Sequence, residues 1–509
     1  MSLLRRIRGW IFLNDPTWSE EKRREQVLVR RLDVFFMIYA AFSSIVKWLD
    51  QNNVQNAYVS GMQEDLHLYG NELNYFTTYF NIGYTIMIPF SVYLMNDWIR
   101  PNIWLPTAEL LWGIATATFA AVHTAKQVYG IRFVVGFFEG TAWPGIMVLL
   151  LSWYTPSEAG KRIAIYEAST YIGSMWAGFL QAALYRNLNG AHGLSGWRWM
   201  FVVNAIIPIA FAGYGYIGIP GYPNRPNRWA FWLRDVDVET AQLRMKRIKR
   251  SLPKGWSWKA VKSLVTGPHN WVSPLAWAFG LLGGQGTVGT RYFNLWLKSL
   301  KNADGSKRYS VEKLNLIPVA SAGISVVSLL TLMSLSDRFQ VQWPFILFCL
   351  LIGLTFSSVL AVWEIPDSVR FASYFIMSIP TVFADLQIAW YGTLLAHSAE
   401  ERSFMVAFGV VSMYCLNAGV PLSVWPATEA PHWRIGWKYS ASCWAGAIVL
   451  FFCLVWYERN SKLLRARNAI AQDDEASAND QIESDDRFDS KTPVGEEDQP
   501  VPAPVVLRE

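Results

Sequence analysis

The sequence predicts an all-α membrane protein, twelve spanning helices arranged as a bundle of two six-helix halves. Three observations lead there. The 509 residues are 52% hydrophobic and only 17% charged, with 26 tryptophans, a balance that a water-soluble domain of this length rarely carries. The apolar residues come in blocks of about 18–25, the length a helix needs to cross a bilayer. Six such blocks precede, and six follow, a polar stretch rich in lysine and arginine.

The first six blocks fall at 33–57, 73–95, 103–123, 128–152, 162–184 and 198–219. The second six fall at 273–297, 312–335, 343–363, 371–395, 404–426 and 438–458. Residues 1–32 then form an N-terminal segment, 33–219 one half, 220–272 a linker, 273–458 the other half and 459–509 an acidic tail. The linker carries Arg244, Lys246, Arg247, Lys249, Arg250, Lys254, Lys259 and Lys262, and the N-terminal segment is basic as well. An even number of spans puts both termini and the linker on one side, which the positive-inside rule makes cytoplasmic. Met1 to Asn14 lacks the apolar core of a secretory signal, so insertion is expected to rely on the first span. The tail from Asn468 is rich in Asp, Glu, Ser, Ala and Pro, a composition expected to remain disordered.

A weak internal repeat links the halves. Asp97 follows the second block, within Asn96-Asp97-Trp98-Ile99-Arg100-Pro101, and Asp337 follows the eighth, within Ser336-Asp337-Arg338-Phe339. Two related sets of six spans, with a site at their interface, are the architecture of a secondary transporter.

Charge inside the apolar blocks is the sharpest functional signal. Arg132 and Glu139 lie in the fourth block, seven residues apart. That is about two turns, so both project from one face, roughly 10 Å apart along the axis. A charge at the bilayer centre costs roughly 2.5–3.5 kcal/mol on insertion scales, so such residues face a cavity or a partner. A forked, permanently charged guanidinium suits a carboxylate, and a buried carboxyl beside it suits proton exchange. An Arg–Glu pair that merely braces the bundle is the plain alternative. In the first block, Lys47 and Asp50 are neighbours at i, i+3, with Asn53 continuing their face; a plain Lys47–Asp50 salt bridge near the outer membrane surface is the alternative. The seventh block is dense in glycine from Gly283 to Gly289 and offers Gln285 and Arg291 to a cavity, although Arg291 can equally snorkel to the surface. Tyr79 and Asn417 are candidate hydrogen-bonding wall residues, with plain packing the competing role for Tyr79. Glu109 and Glu167 are further carboxyls within spans, with no role assigned.

The order of several segments carries a resemblance that covers nearly all of the chain before the tail. Lys47-Trp48-Leu49-Asp50-Gln51-Asn52-Asn53-Val54-Gln55-Asn56 leads into Leu68-Tyr69-Gly70-Asn71-Glu72-Leu73-Asn74. Arg132, Gly136, Glu139, Gly140 and Pro144-Gly145 follow, then Gly196-Trp197-Arg198-Trp199 and, late, Ala427-Thr428-Glu429-Ala430-Pro431. This pattern resembles the major facilitator superfamily, and within it the anion:cation symporters of the fungal vitamin and allantoate permease branch. The resemblance implies that Arg132 binds an anion and that Asp50 and Glu139 couple protons. It also implies that Asp97, Arg100, Asp337 and Arg338 belong to cytoplasmic gates. One departure stands out: the family often has Arg after the aspartate, where this chain has Gln51. A second anion-binding cation is then missing at that position, and Lys47 is the candidate substitute.

The function expected on these grounds is uptake of a small organic anion with protons across the plasma membrane, pantothenate being the best single guess. The runners-up are export of a carboxylate-bearing secondary metabolite and a non-transporting nutrient receptor. The expected partners are the anion, protons and the lipid bilayer, the carrier working as a monomer, with no cofactor, metal or nucleic acid. The chain has no His-Glu-x-x-His and no phosphate-binding Gly-Lys-Ser/Thr loop. Its aspartate-rich stretch Asp485-Asp486-Arg487-Phe488-Asp489 lies in the tail and reads as solvated charge. The four cysteines all lie in apolar blocks without metal-type spacing. Nothing here points to an enzyme.

Overall fold

The computed structural model describes residues 18–247, 266, 269–284, 291–339, 341–394 and 399–460. The expectations for the acidic tail, for Gln285 and for the basic residues from Lys249 to Lys262 fall outside them. Within the described residues the chain is helical almost throughout. Seven helical stretches are long and apolar enough to cross a membrane: Glu20–Asp65, Ala125–Trp153, Gly196–Gly218, Val311–Phe339, Trp343–Val362, Asp367–Tyr391 and Gly436–Trp456. Shorter apolar helices lie at Trp271–Gly283 and Phe408–Val424. Helices at Glu72–Tyr93 and Pro156–Leu188 are long enough as well, but bring polar groups such as Asn74, Asn81 and Gln181 into the buried interior.

The first half is built from α1 (Glu20–Ala57), α2 (Glu72–Tyr93), α3 (Pro101–Thr118), α4 (Ala125–Glu139), α5 (Ala142–Trp153), α6 (Pro156–Leu188) and α7 (Gly196–Gly218). The linker contributes α8 (Asp235–Arg247). The second half contains α9 (His269–Gly283), α10 (Arg291–Ser299), α11 (Val311–Leu316), α12 (Val319–Phe339), α13 (Trp343–Val362), α14 (Asp367–Ile376), α15 (Phe383–Leu394), α16 (Ala399–Val424) and α17 (Gly436–Asn460). The fourth span is therefore two helices, broken at Gly140 and Thr141 immediately after Glu139. The tenth is likewise broken, between α14 and α15.

Local chemistry explains the helix ends. At α1 the Ser19 hydroxyl accepts the Lys22 N–H, and Glu20 and Glu21 sit in the first turn, where carboxylates complement the helix dipole. Its 38 residues rise about 57 Å, well beyond a bilayer's hydrocarbon core, so the charged turns before Leu32 project beyond the apolar span. This helix starts thirteen residues earlier than the apolar block alone indicates. At its other end the backbone turns at Gly61, whose φ of 113° is one that a side chain disfavours. Thr124 with Gln127 caps α4, and Thr155 with Glu158 caps α6, each as a reciprocal capping box.

Charge fastens α8 to one end of the bundle. Arg31 on α1 pairs with Asp237, and Arg244 pairs with Glu158 on α6 and approaches Glu25 on α1 at 3.8 Å. Arg247 adds a bond to Glu25 at 3.0 Å. Arg162 on α6 reaches back to Asp33 on α1 at 2.5 Å. These contacts lie at what is here called the linker end.

The two halves meet elsewhere. At the far end, the Asn74 side chain on α2 donates to the Pro421 and Trp425 carbonyls of the second half, at 2.9 and 2.7 Å. Asn294 donates to Asn56 at 3.3 Å, Asn315 to Ser60 at 3.1 Å, and Lys298 to Glu64 at 2.9 Å. Nearer the middle, Thr78 on α2 donates to the Ala418 carbonyl of α16 at 2.6 Å. Helix α6 lies along α11 and α12, where a Cβ on Gly178 would come within 2.5 Å of Val319. These polar contacts sew the far end shut.

Candidate functional site

Glycine brings the charged helices together. A Cβ on Gly136 of α4 would stand 2.1 Å from the Phe80 carbonyl oxygen of α2. One on Gly83 of α2 would stand 2.3 Å from that of Phe133. On the other side, Gly173 of α6 lies against the Ile45 carbonyl of α1, where a Cβ would meet it at 2.4 Å. Helices in lipid approach this closely only through small residues. The result is a tight cluster of α1, α2, α4 and α6, with the charged side chains turned inward.

Within it, Lys47, Asp50, Arg132 and Glu139 are all buried, each 3% exposed or less. The structure therefore brings together the four charges that the sequence singles out. Arg132 donates from Nε to the Phe76 carbonyl at 3.3 Å, lies 4.3 Å over the Phe80 ring, and is within electrostatic reach of Asp50 and Glu139. Asp50 accepts from Asn53 at 3.0 Å, so the continued helical face forms as expected. Lys47 turns to another partner. Its ammonium donates to the Tyr84 hydroxyl at 2.9 Å and lies 5.2 Å over that ring. Tyr84 stacks on Tyr414 of α16 with ring centroids 4.0 Å apart, so this contact crosses between the halves.

Gln51 has a use that its lack of charge hides. Its amide donates to Glu139 Oε1 at 2.5 Å, tying α1 to α4. The other oxygen of Glu139, and Asp50 Oδ2, are buried with no hydrogen-bond partner among the described residues. An oxygen so placed can take a proton without breaking a hydrogen bond. Glu109 sits beside the cluster on α3 and accepts from the Tyr39 hydroxyl at 2.6 Å. Glu167 accepts from Trp143 Nε1 at 3.0 Å.

The other expected site residues are distributed differently. Tyr79 is 40% exposed, on a stripe of α2 with Tyr75, Ile82, Ile86 and Phe90, and stacks on Tyr129 at 5.0 Å. It stands apart from the buried cluster, and Tyr84, five residues on, occupies the inward position. Asn417 is half-buried on α16, one turn from Tyr414 and beside the carbonyl that Thr78 grips. Arg291 begins α10, and only its backbone is described. Asp97 lies in a π-turn that ends the second span, its backbone alone described. Arg100 precedes α3, and Asp337 and Arg338 end α12, all three exposed at the linker end. The sequence reading missed Tyr84, Gln51 and Tyr414. Two clefts of ≈ 340 and ≈ 300 Å³ open at the far end, beside His432 and beside Lys298, and neither includes the buried cluster.

A bundle of apolar helices with a buried cation–carboxyl cluster at its centre defines a class: a multi-pass membrane carrier for small molecules. The Major Facilitator Superfamily model matches residues 40–423, and the chain belongs to that family. It is a transporter, not an enzyme. The MFS transporter PfmaC of Pestalotiopsis fici is 31% identical over 86% of this chain and 82% of its own. The pantothenate transporter liz1 of Schizosaccharomyces pombe is 30% identical over 75% and 72%. The vitamin H transporter of Saccharomyces cerevisiae is 28% identical over 92% and 78%. Among solved structures, the inward-open xylose transporter XylE of E. coli superposes with a TM-score of 0.65 at 13% identity, covering 86% of this chain and 99% of that one. That likeness carries the fold: a twelve-helix bundle of two six-helix halves.

Proposed function

We propose that this carrier imports a small organic anion, a carboxylate vitamin with pantothenate the leading candidate, together with protons across the plasma membrane. The observation that carries the reading is the buried set Arg132, Lys47, Asp50 and Glu139, two cations and two carboxyls on facing helices. The pantothenate and vitamin H transporters among the relatives support the substrate class.

In the proposed cycle Asp50 and Glu139 take protons, which removes their negative charge from beside Arg132 and Lys47. Their cations then attract the substrate carboxylate, with Arg132 the forked partner. When the protons leave, the returning carboxylates compete for the same cations and expel the substrate. Residues 33–219 and 273–458 rock about this set as the two moving halves, joined by 220–272, in a monomer with both termini cytoplasmic. On that topology the far end, closed by Asn74, Asn294 and Lys298, is the outer gate. The linker-end charges Asp97, Arg100, Asp337 and Arg338 then brace the opposite, outward-facing state.

The test is uptake of labelled pantothenate at acidic and at neutral external pH, in yeast lacking its own carrier, for wild type and Arg132→Ala. Acid-stimulated uptake that the variant loses supports both the substrate and the role of Arg132. No uptake by wild type, with the protein verified at the cell surface, removes pantothenate. Biotin and other carboxylates, and export, are then assayed in turn.

A further inference from the structure

Two carboxyls outside this set lie within electrostatic reach of each other across the divide between the halves. Tyr171 on α6 donates its hydroxyl to the Thr381 carbonyl of the second half at 3.4 Å. Thr381 is itself fixed there, its hydroxyl 3.1 Å from that of Ser325 on α12, which also donates to the Ser378 carbonyl at 2.9 Å. Helix α6 runs from the linker end to the far end, and the tenth span runs the opposite way. One turn toward the linker end is thus four residues back from Tyr171 and four residues on from Thr381. Those positions are Glu167 and Asp385, and the two carboxyls are within electrostatic reach of each other. Both side chains are half-buried.

The surroundings hold this pair together without neutralising it. Trp143 donates to one oxygen of Glu167 at 3.0 Å and leaves the second available. Among the described residues, no lysine or arginine lies within salt-bridge distance of either carboxyl. The charged and titratable groups that face the pair are Lys47 of α1 and Tyr84 of α2 toward Glu167, Cys349 of α13 toward Asp385, and Tyr166 and Tyr171 of α6. Only Lys47 is cationic, and it is bound to Tyr84. Two carboxylates in one low-dielectric site repel, and a single proton between them turns repulsion into a short, charge-assisted hydrogen bond.

We propose that Glu167 and Asp385 form a second proton site, one shared proton latching α6 to α15 and so holding the two halves together at mid-depth. Deprotonation leaves two carboxylates, releases one proton to water and drives the linker end open. Closure of the carrier is then linked to pH through a pair that contacts neither Arg132 nor Glu139. The inference rests on the transporter reading, but its test uses no substrate and so fails or succeeds independently of the substrate assignment.

The experiment is a distance measurement between spin labels at Lys161→Cys on α6 and Phe339→Cys on α12, both exposed at the linker end. The full chain is placed in lipid nanodiscs, with Cys349, Cys415, Cys443 and Cys453 replaced by serine. Raising the pH is expected to lengthen the label distance. Glu167→Gln and Asp385→Asn are each expected to remove this component of the response as fully as the double variant does, since one shared proton needs both groups. Glu167→Asp, which keeps the charge, retains a pH response with a displaced midpoint and guards against a merely misfolded amide variant. The proposal is overturned if either single variant keeps the whole response, or if the two losses add as independent halves. A distance that follows sodium concentration instead of pH overturns it equally, by identifying a cation site.

Discussion

The approach of α2 to α4 is the point on which the charged cluster depends, and Gly136→Ala tests it. The new methyl carbon would lie 2.1 Å from the Phe80 carbonyl oxygen, whereas real contacts of this kind begin at 3.0 Å, so the helices must separate by about 1 Å. Its other near neighbours, at 2.9 and 3.0 Å, are also Phe80 backbone, which has no rotamer with which to yield. Overpacking of this kind costs about 1–3 kcal/mol. Glu139 lies on the same helix, so displacing α4 also disturbs its 2.5 Å hydrogen bond from Gln51 of α1. The expected result is a lower melting temperature for the detergent-purified protein, together with loss of acid-driven uptake. Gly130→Ala, on the same helix, is the control. Nothing lies within 4 Å of its Cβ, and exchanging glycine for alanine in an exposed helix gains up to about 1 kcal/mol. If Gly136→Ala is as stable and active as Gly130→Ala, then close helix approach does not assemble the site.

Four further outcomes follow from the same geometry. Glu139→Gln keeps the volume and removes the titrating group, so acid-driven accumulation is expected to disappear while substrate exchange across the membrane persists. Accumulation that survives in this variant refutes the coupling role. Tyr84→Phe keeps the stack on Tyr414 but deletes the acceptor for Lys47, and a several-fold rise in the substrate concentration for half-maximal uptake is expected. An unchanged value would mean that Lys47 does not serve the substrate. Asn56→Cys with Asn294→Cys places two thiols across the far end; oxidation should stop transport and reduction restore it, and full activity in the cross-linked carrier would exclude opening at that end. Arg244→Ala leaves Glu158 without its buried partner and is expected to cost up to about 3 kcal/mol, read as a lower unfolding temperature. An unchanged temperature would show that α8 does not brace the linker end.

The reach of the sequence differs from one element to the next. Its apolar blocks mark the spans well, because hydrocarbon requires a long apolar run wherever a helix crosses and that requirement is local. The block edges are less legible. Helix α1 begins at Glu20, since backbone hydrogen bonding and the Ser19 cap extend a helix past the membrane as readily as within it. The breaks at Gly140 and before Phe383 likewise leave no trace in hydropathy. Arg132 and Glu139 were legible as a pair because a charge in an apolar block is rare at any position. Tyr79 and Tyr84 differ only in the face of α2 they occupy, and an aromatic residue is compatible with both faces. Gln51 reads from sequence as an absent cation, yet in the fold it is the donor that holds Glu139.

The sequence by itself determined that this is a helical membrane carrier, its fold family, and which charges are too costly to be buried without purpose. Those properties follow from composition, from apolar run length and from the order of a few motifs along one chain. Tertiary structure alone decided the pairings: Lys47 with Tyr84 and not with Asp50, Gln51 with Glu139, and Tyr84 with Tyr414. Each joins two different helices, and the register between helices is set by glycine contacts and end-to-end hydrogen bonds that no periodicity within one helix encodes.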